Sequence, residues 1–231
     1  MREERQNRLI KKRNIVLIGS MGTGKSHVGR MLARELGWQF IDTDRLLERE
    51  RGMSLAELGA TLGADAFRQA EAAVIERVRR YHQVIIAVGG NFVLAEDMFE
   101  RLREYGVVVL LYAKTFRIIE RVARKQGKRP TIDYDNLAGC VADLNRAWYG
   151  WHARADWSVN TTYRTPTRLA YTIGRYLHQA PFRFLTRRGQ ERHKTRRKGY
   201  SYGKKSSRSD QWRRRARHER RGSGGRAGGD L

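Results

Sequence analysis

Residues 19 to 26 read GSMGTGKS, a G-x-x-x-x-G-K-S spacing set between the apolar run NIVLI and the helix-like segment HVGRMLARELG. Strand, glycine-rich turn and helix in that order let backbone N–H groups crowd round phosphate oxygens at the positive end of a helix, where side chains would obstruct. Gly22 and Gly24 permit the approach, Lys25 reaches the outer phosphates as a point charge, and the Ser26 hydroxyl suits Mg²⁺, a hard cation that prefers oxygen. Gly19, Ser20, Met21, Gly22, Thr23, Gly24, Lys25 and Ser26 are therefore the candidate nucleotide-binding loop. The alternative, a glycine turn without a ligand, fits the complete motif in this context poorly.

The remaining chain has to supply a sheet for that loop to cap. Apolar runs NIVLIG, WQFID, QVIIAV, VVVLLYA and DWSVNT alternate with helix-like segments such as DAFRQAEAAVIERVRRY and TFRIIERVARKQG. Continuous apolar strands alternating with helices predict an α/β fold, a parallel sheet with helices on both faces. Ligands of such sheets gather at the carboxyl ends of the strands. That rule singles out residues 19 to 26, 42 to 44 and 89 to 91.

Charge divides the chain. It holds 48 Lys and Arg against 24 Asp and Glu, and residues 186 to 231 alone hold 17 against 4 with almost no aliphatic content. Such a segment cannot bury enough apolar surface to offset its ordering entropy, so a disordered basic tail is expected. Tyr200, Tyr202 and Trp212 interleave with its arginines, a combination that stacks on bases while neutralising phosphates, so RNA or another polyanion is a candidate partner. The expected organisation is a charged N-terminal extension over residues 1 to 12, a catalytic domain over 13 to 185 and the tail over 186 to 231. A single cysteine, Cys140, favours a reducing compartment. The charged N-terminus MREERQNRLIKKRN lacks the apolar stretch of a secretory signal, and VVVLLYA falls far short of the ~20 residues that span a bilayer. A cytoplasmic monomer without membrane contact is the expectation.

Three further stretches carry acceptor chemistry. IDTD places Asp42 and Asp44 at period two after a strand, where one carboxylate supports Mg²⁺ through a water and the other orients an acceptor hydroxyl and takes its proton. An acidic cap for the helix RLLERERG is the equal alternative. In DAFRQAE, Arg68 and Glu71 stand at i and i+3, which is an exposed ion pair in the plain reading, while Phe67 beside them argues for a partly buried guanidinium presented to a carboxylate. In VIIAVGGN, two glycines after a buried strand let backbone approach a bound molecule, a plain tight turn being the other reading. The basic loop in RVARKQGKRPTID, with Arg129 before Pro130, reads either as a solvated loop or, in a nucleotide-binding protein, as one that closes over the phosphates and excludes water.

Together GSMGTGKS, DTD, FRQAE, VGG and KRP, in this order over roughly residues 13 to 180, resemble the shikimate kinase family, small P-loop enzymes of the nucleoside-monophosphate-kinase-like group. The resemblance implies the three-layer P-loop kinase fold and transfer of the γ-phosphate of ATP to the 3-hydroxyl of shikimate, a step of aromatic amino acid biosynthesis. It implies Asp44 as base and acceptor contact, Asp42 in the Mg²⁺ shell, and Arg68 on the shikimate carboxylate. Gly89 and Gly90 would line the substrate, and Arg129 would reach the phosphates. Two departures stand out. Asn91 replaces a third glycine, and the second carboxylate-binding arginine falls out of register in NRAWYGWHARAD, where Arg146 is the candidate, Arg154 the fallback, and Trp148 replaces a proline. Phosphorylation of another small polyol acid, with the pocket altered by Asn91, Trp148 and Trp151, and an RNA-associated protein with a regulatory nucleotide site remain the alternatives.

Overall fold

The computed structural model describes residues 10–91, 93–124, 132–179 and 182–184. Five strands form a parallel sheet in the order β3-β4-β2-β5-β6: β2 (Asn14–Ile18), β3 (Gln39–Asp42), β4 (Val84–Ala87), β5 (Gly106–Tyr112) and β6 (Trp157–Asn160). A separate parallel pair joins β1 (Ile10–Lys12) to β7 (Phe182–Phe184). The helices are α1 (Lys25–Leu36), α2 (Thr43–Arg51), α3 (Leu55–Val78), α4 (Glu96–Tyr105), α5 (Thr115–Ala123), α6 (Leu137–Tyr149) and α7 (Pro166–Gln179).

Alternate residues of each buried strand feed two cores, because side chains of a strand point to opposite faces. Val16, Ile18, Ile86, Val108 and Leu110 pack against α2, α3, α4 and the paired indoles of Trp148 and Trp151. Ile15, Leu17, Ile85, Val107, Val109 and Leu111 pack against α1 and α7. A third, smaller cluster of Met21, Ala113, Ile118, Val122 and Val141 sits where α5 and α6 meet the loop after β2. The three layers expected from the strand and helix pattern are thus present, with the C-terminal ends of β2, β3 and β4 opening to one edge.

The elements depart from the sequence reading at their boundaries. α7 ends at Gln179, and residues 182–184, still inside the domain expected through residue 185, pair as β7. The helix after β3 starts at Thr43, directly at the strand end, so Asp42 closes β3 and caps α2 through Arg45 N at 3.4 Å. Asp44 therefore lies in the first helical turn rather than in the strand, and the period-two relation to Asp42 is lost. In α3 a capping box between Ser54 and Glu57 fixes the start, and Gly63 at φ 73° bends the helix before Phe67. Among the described residues no helix is long and apolar enough to cross a membrane. Residues 1–9, Arg129 and the segment 186–231 lie outside the described residues.

Candidate active site

The loop after β2 wraps the start of α1, with Gly24 in the left-handed region at φ 97° as the cap. Its backbone is fixed from inside: the Thr23 hydroxyl donates to Ser20 O at 2.8 Å, and Lys25 Nζ donates to Gly19 O at 2.7 Å and Ser20 O at 3.1 Å. The ammonium is buried among carbonyls that a phosphate would displace as its partner. Ser20 Oγ donates to Asn145 Oδ1 at 3.0 Å, and Asn145 Nδ2 reaches Thr115 Oγ1 at 3.2 Å, so α6 holds the loop from the side.

A second loop follows β4. Gly89 N donates to Thr43 Oγ1 at 2.9 Å, tying it to α2, and Gly90 O accepts from Met21 N at 3.1 Å, tying it to the phosphate loop. Neither glycine has room for a side chain. A Cβ on Gly89 would overlap Asp44 Oδ1 and stand 2.7 Å from Glu71 Oε1, while one on Gly90 would overlap Lys25 Nζ and stand 2.7 Å from Gly19 O. Gly89 thus packs against the carboxylate cluster and Gly90 against the phosphate lysine. Asn91, the next residue, is buried.

Glu71 belongs to this cluster. Its carboxyl is pushed up to about 8, first by burial and then by the Asp44 charge, against the weaker pull of Lys25 and Arg68. Phe67 is buried at 1 % exposure whereas Arg68, one step further round the helix, is exposed, so the partial burial expected for the guanidinium does not occur. α3 turns Phe67, Ala70 and Val74 into the core, which directs position 68 outward.

A family model described as shikimate kinase matches residues 21–177. A shikimate kinase of Thermodesulfovibrio yellowstonii is 34% identical over 161 residues, covering 70% of this chain and 92% of that one. The chain belongs to the shikimate kinase family. A second family member, from Symbiobacterium thermophilum, is 40% identical over 144 residues, covering 62% of this chain and 82% of its own. A solved shikimate kinase from Acinetobacter baumannii in complex with shikimate superposes with a TM-score of 0.69 at 27% identity, over 75% of this chain and 97% of that one. The Aquifex aeolicus structure gives 0.62 at 26% identity, over 71% and 95%.

Against the family pattern, the structure draws together the loop of residues 19–26, Asp42, Asp44, Gly89 and Gly90. It does not bring Arg146 to them. Asn145 and Trp148 occupy the inward face of α6, so Arg146 points out, with its side chain 79% exposed and paired to Asp143 at 2.9 Å. Arg154 also lies elsewhere, bound to Glu96 at 2.9 Å and Glu100 at 3.0 Å and stacked over Phe99 and Trp151. Trp148 and Trp151 are core residues. Sequence reasoning missed Asn145 and Thr43, whose only signal is a polar residue on an otherwise apolar face.

Proposed function

We propose that this shikimate kinase family member transfers the γ-phosphoryl group of ATP to the 3-hydroxyl of shikimate. The observation that carries the reading is the close approach of the two glycines to the chemistry-bearing side chains, Gly89 to Asp44 and Gly90 to Lys25. An acceptor seated against Gly89 meets the Asp44 carboxylate, and a phosphate chain on the loop of residues 19–26 meets Lys25. The acceptor oxygen and the phosphorus are thereby brought together at the glycine pair, and positioning of this kind is most of what phosphoryl transfer asks of a protein.

Asp44 takes the hydroxyl proton as the new O–P bond forms and the bond to the β-phosphate bridging oxygen breaks, releasing ADP. Glu71, with its raised pKa, is the carboxyl that keeps its proton at neutral pH. Lys25 leaves the Gly19 and Ser20 carbonyls for the phosphate oxygens. Arg68 supplies the fork for the acceptor carboxylate, and Arg129 reaches the phosphates from the segment after α5. The Ser26 hydroxyl and, through water, the Asp42 carboxylate are hard oxygen donors at two helix starts and fit Mg²⁺ arriving with the nucleotide. The ion supplies charge neutralisation of the phosphate oxygens. The tail is read as a polyanion-binding arm on a monomeric cytoplasmic enzyme, supported by its excess of 17 basic over 4 acidic residues.

Incubation with ATP and Mg²⁺ beside shikimate, quinate and gluconate, followed by mass spectrometry, tests the acceptor. Shikimate 3-phosphate as the main product is expected, and turnover of quinate or gluconate in preference would replace the acceptor assignment.

A further inference from the structure

The middle of the phosphate loop is held from outside by one guanidinium. Arg121 on α5 donates through Nη1 to Gly22 O at 3.0 Å and to Thr161 Oγ1 at 3.3 Å, and through Nη2 to Thr161 O at 2.9 Å. The Thr161 hydroxyl donates in turn to Thr23 O at 2.8 Å. Thr161 is the residue after β6 and is buried at 1 % exposure. The same face of α5 closes on the loop: Ile118 and Val122 lie 3.0 and 3.1 Å from where a Cβ of Gly22 would stand. Burial and the neighbouring Arg117 both work against the Arg121 charge. A cation kept there needs acceptors, and those shown are the Gly22 and Thr161 carbonyls and the Thr161 hydroxyl.

Peptide planarity turns these bonds into a statement about donors. Across a trans peptide the N–H of the following residue points opposite to the C=O. Holding the Gly22 carbonyl toward Arg121 directs the Thr23 N–H the other way, and holding the Thr23 carbonyl toward Thr161 does the same for the Gly24 N–H. An anion cradle works only when its N–H groups face the ligand and its carbonyls face away. We infer that Arg121, with Thr161 as its relay, is a positioning residue that aims the Thr23 and Gly24 N–H groups at the phosphates of the nucleotide. The inference rests on the nucleotide reading of this loop, and Arg121 itself touches no reacting atom.

Calorimetric binding of ADP and of shikimate to the full chain separates this from a plain structural brace. Binding of ADP by the wild-type protein, measured first, tests the kinase reading by itself. Arg121→Ala should raise the ADP Kd and the ATP KM about tenfold while the shikimate Kd and the Tm stay near wild type, because donor aim is lost but the packing of Ile118 and Val122 is kept. Arg121→Lys, which reaches one carbonyl at a time, should recover part of the loss. Thr161→Val should weaken ADP binding in the same direction, and the double variant should lose less than the two single losses combined. An ADP Kd within twofold of wild type in Arg121→Ala, or ADP and shikimate affinities falling together with the Tm, overturns the inference. If Arg121→Ala does not fold, Arg121→Lys and Thr161→Val decide by the same two affinities.

Discussion

Gly90 and Met21 join the two loops of the site, the carbonyl of the first accepting the N–H of the second at 3.1 Å. Because Gly90 abuts Lys25 while Gly89 abuts Asp44, adding one methyl group at each position should give opposite kinetics. Gly90→Ala is expected to raise the ATP KM, and Gly89→Ala to lower kcat about a hundredfold through displacement of Asp44 while ATP binding persists. Identical profiles for the two variants would mean that the glycine pair does not divide the site.

Lys25 and Asp44 should part company in the same way. Lys25→Ala should abolish transfer and weaken nucleotide binding, and Asp44→Asn should abolish transfer with ATP affinity retained. Equal loss of ATP affinity in both, read by calorimetry, would move Asp44 to the nucleotide site or the fold.

For the acceptor carboxylate, Arg68→Lys replaces a planar fork by a point charge and should raise the shikimate KM about tenfold with a smaller change in kcat. Arg146→Ala should leave that KM nearly unchanged, since the side chain is 79% exposed and paired with Asp143. A matching rise in Arg146→Ala would show that α6 presents its other face to the substrate in solution.

The Glu71 carboxyl gives stability a defined pH course. Its folded pKa of about 8 lies above the ordinary 4.5, so the folded chain holds this proton more tightly than the unfolded chain. The contribution is complete below the unfolded pKa and is lost as pH rises through the folded one. Tm should therefore fall between about pH 5 and about pH 9, and Glu71→Gln, still facing Asp44, Lys25 and Arg68, should flatten the decline. A difference in Tm between the two proteins that is the same at every pH would refute it.

The basic tail should be separable from catalysis. A chain ending at Leu185 retains β7 and should keep kinase activity and Tm while losing most affinity for single-stranded RNA, an affinity that in the full chain falls steeply with salt. Loss of phosphoryl transfer on truncation, or undiminished RNA binding, would end that division of labour.

The sheet was legible because its central strands β2, β4 and β5 are nearly continuous apolar runs, and the phosphate loop because its spacing is dictated by phosphate itself. β1 and β7 were not, since three residues such as FRF carry no period. The placement of Asp44 failed on one boundary: Asp42 serves as a cap, which puts its neighbour on a helix. The exposure of Arg146 and Arg68 has another reason. Which way a helix faces is decided by its most apolar side chains, here Trp148 and Phe67, and a motif read in one dimension does not record that rotation. Arg121 and Thr161 carry no local signal, being joined only by the folded path of the chain.

The pairing of Ile10 with Phe182 has a consequence for the order of events on the ribosome. Every strand of the five-stranded sheet has been synthesised by Asn160, yet β1 must wait for a partner roughly 170 residues downstream, a delay of about 10 to 30 s at the usual pace of translation. The nascent chain can therefore assemble its sheet around β2 while its first strand is still unpaired, and the β1–β7 seam closes last.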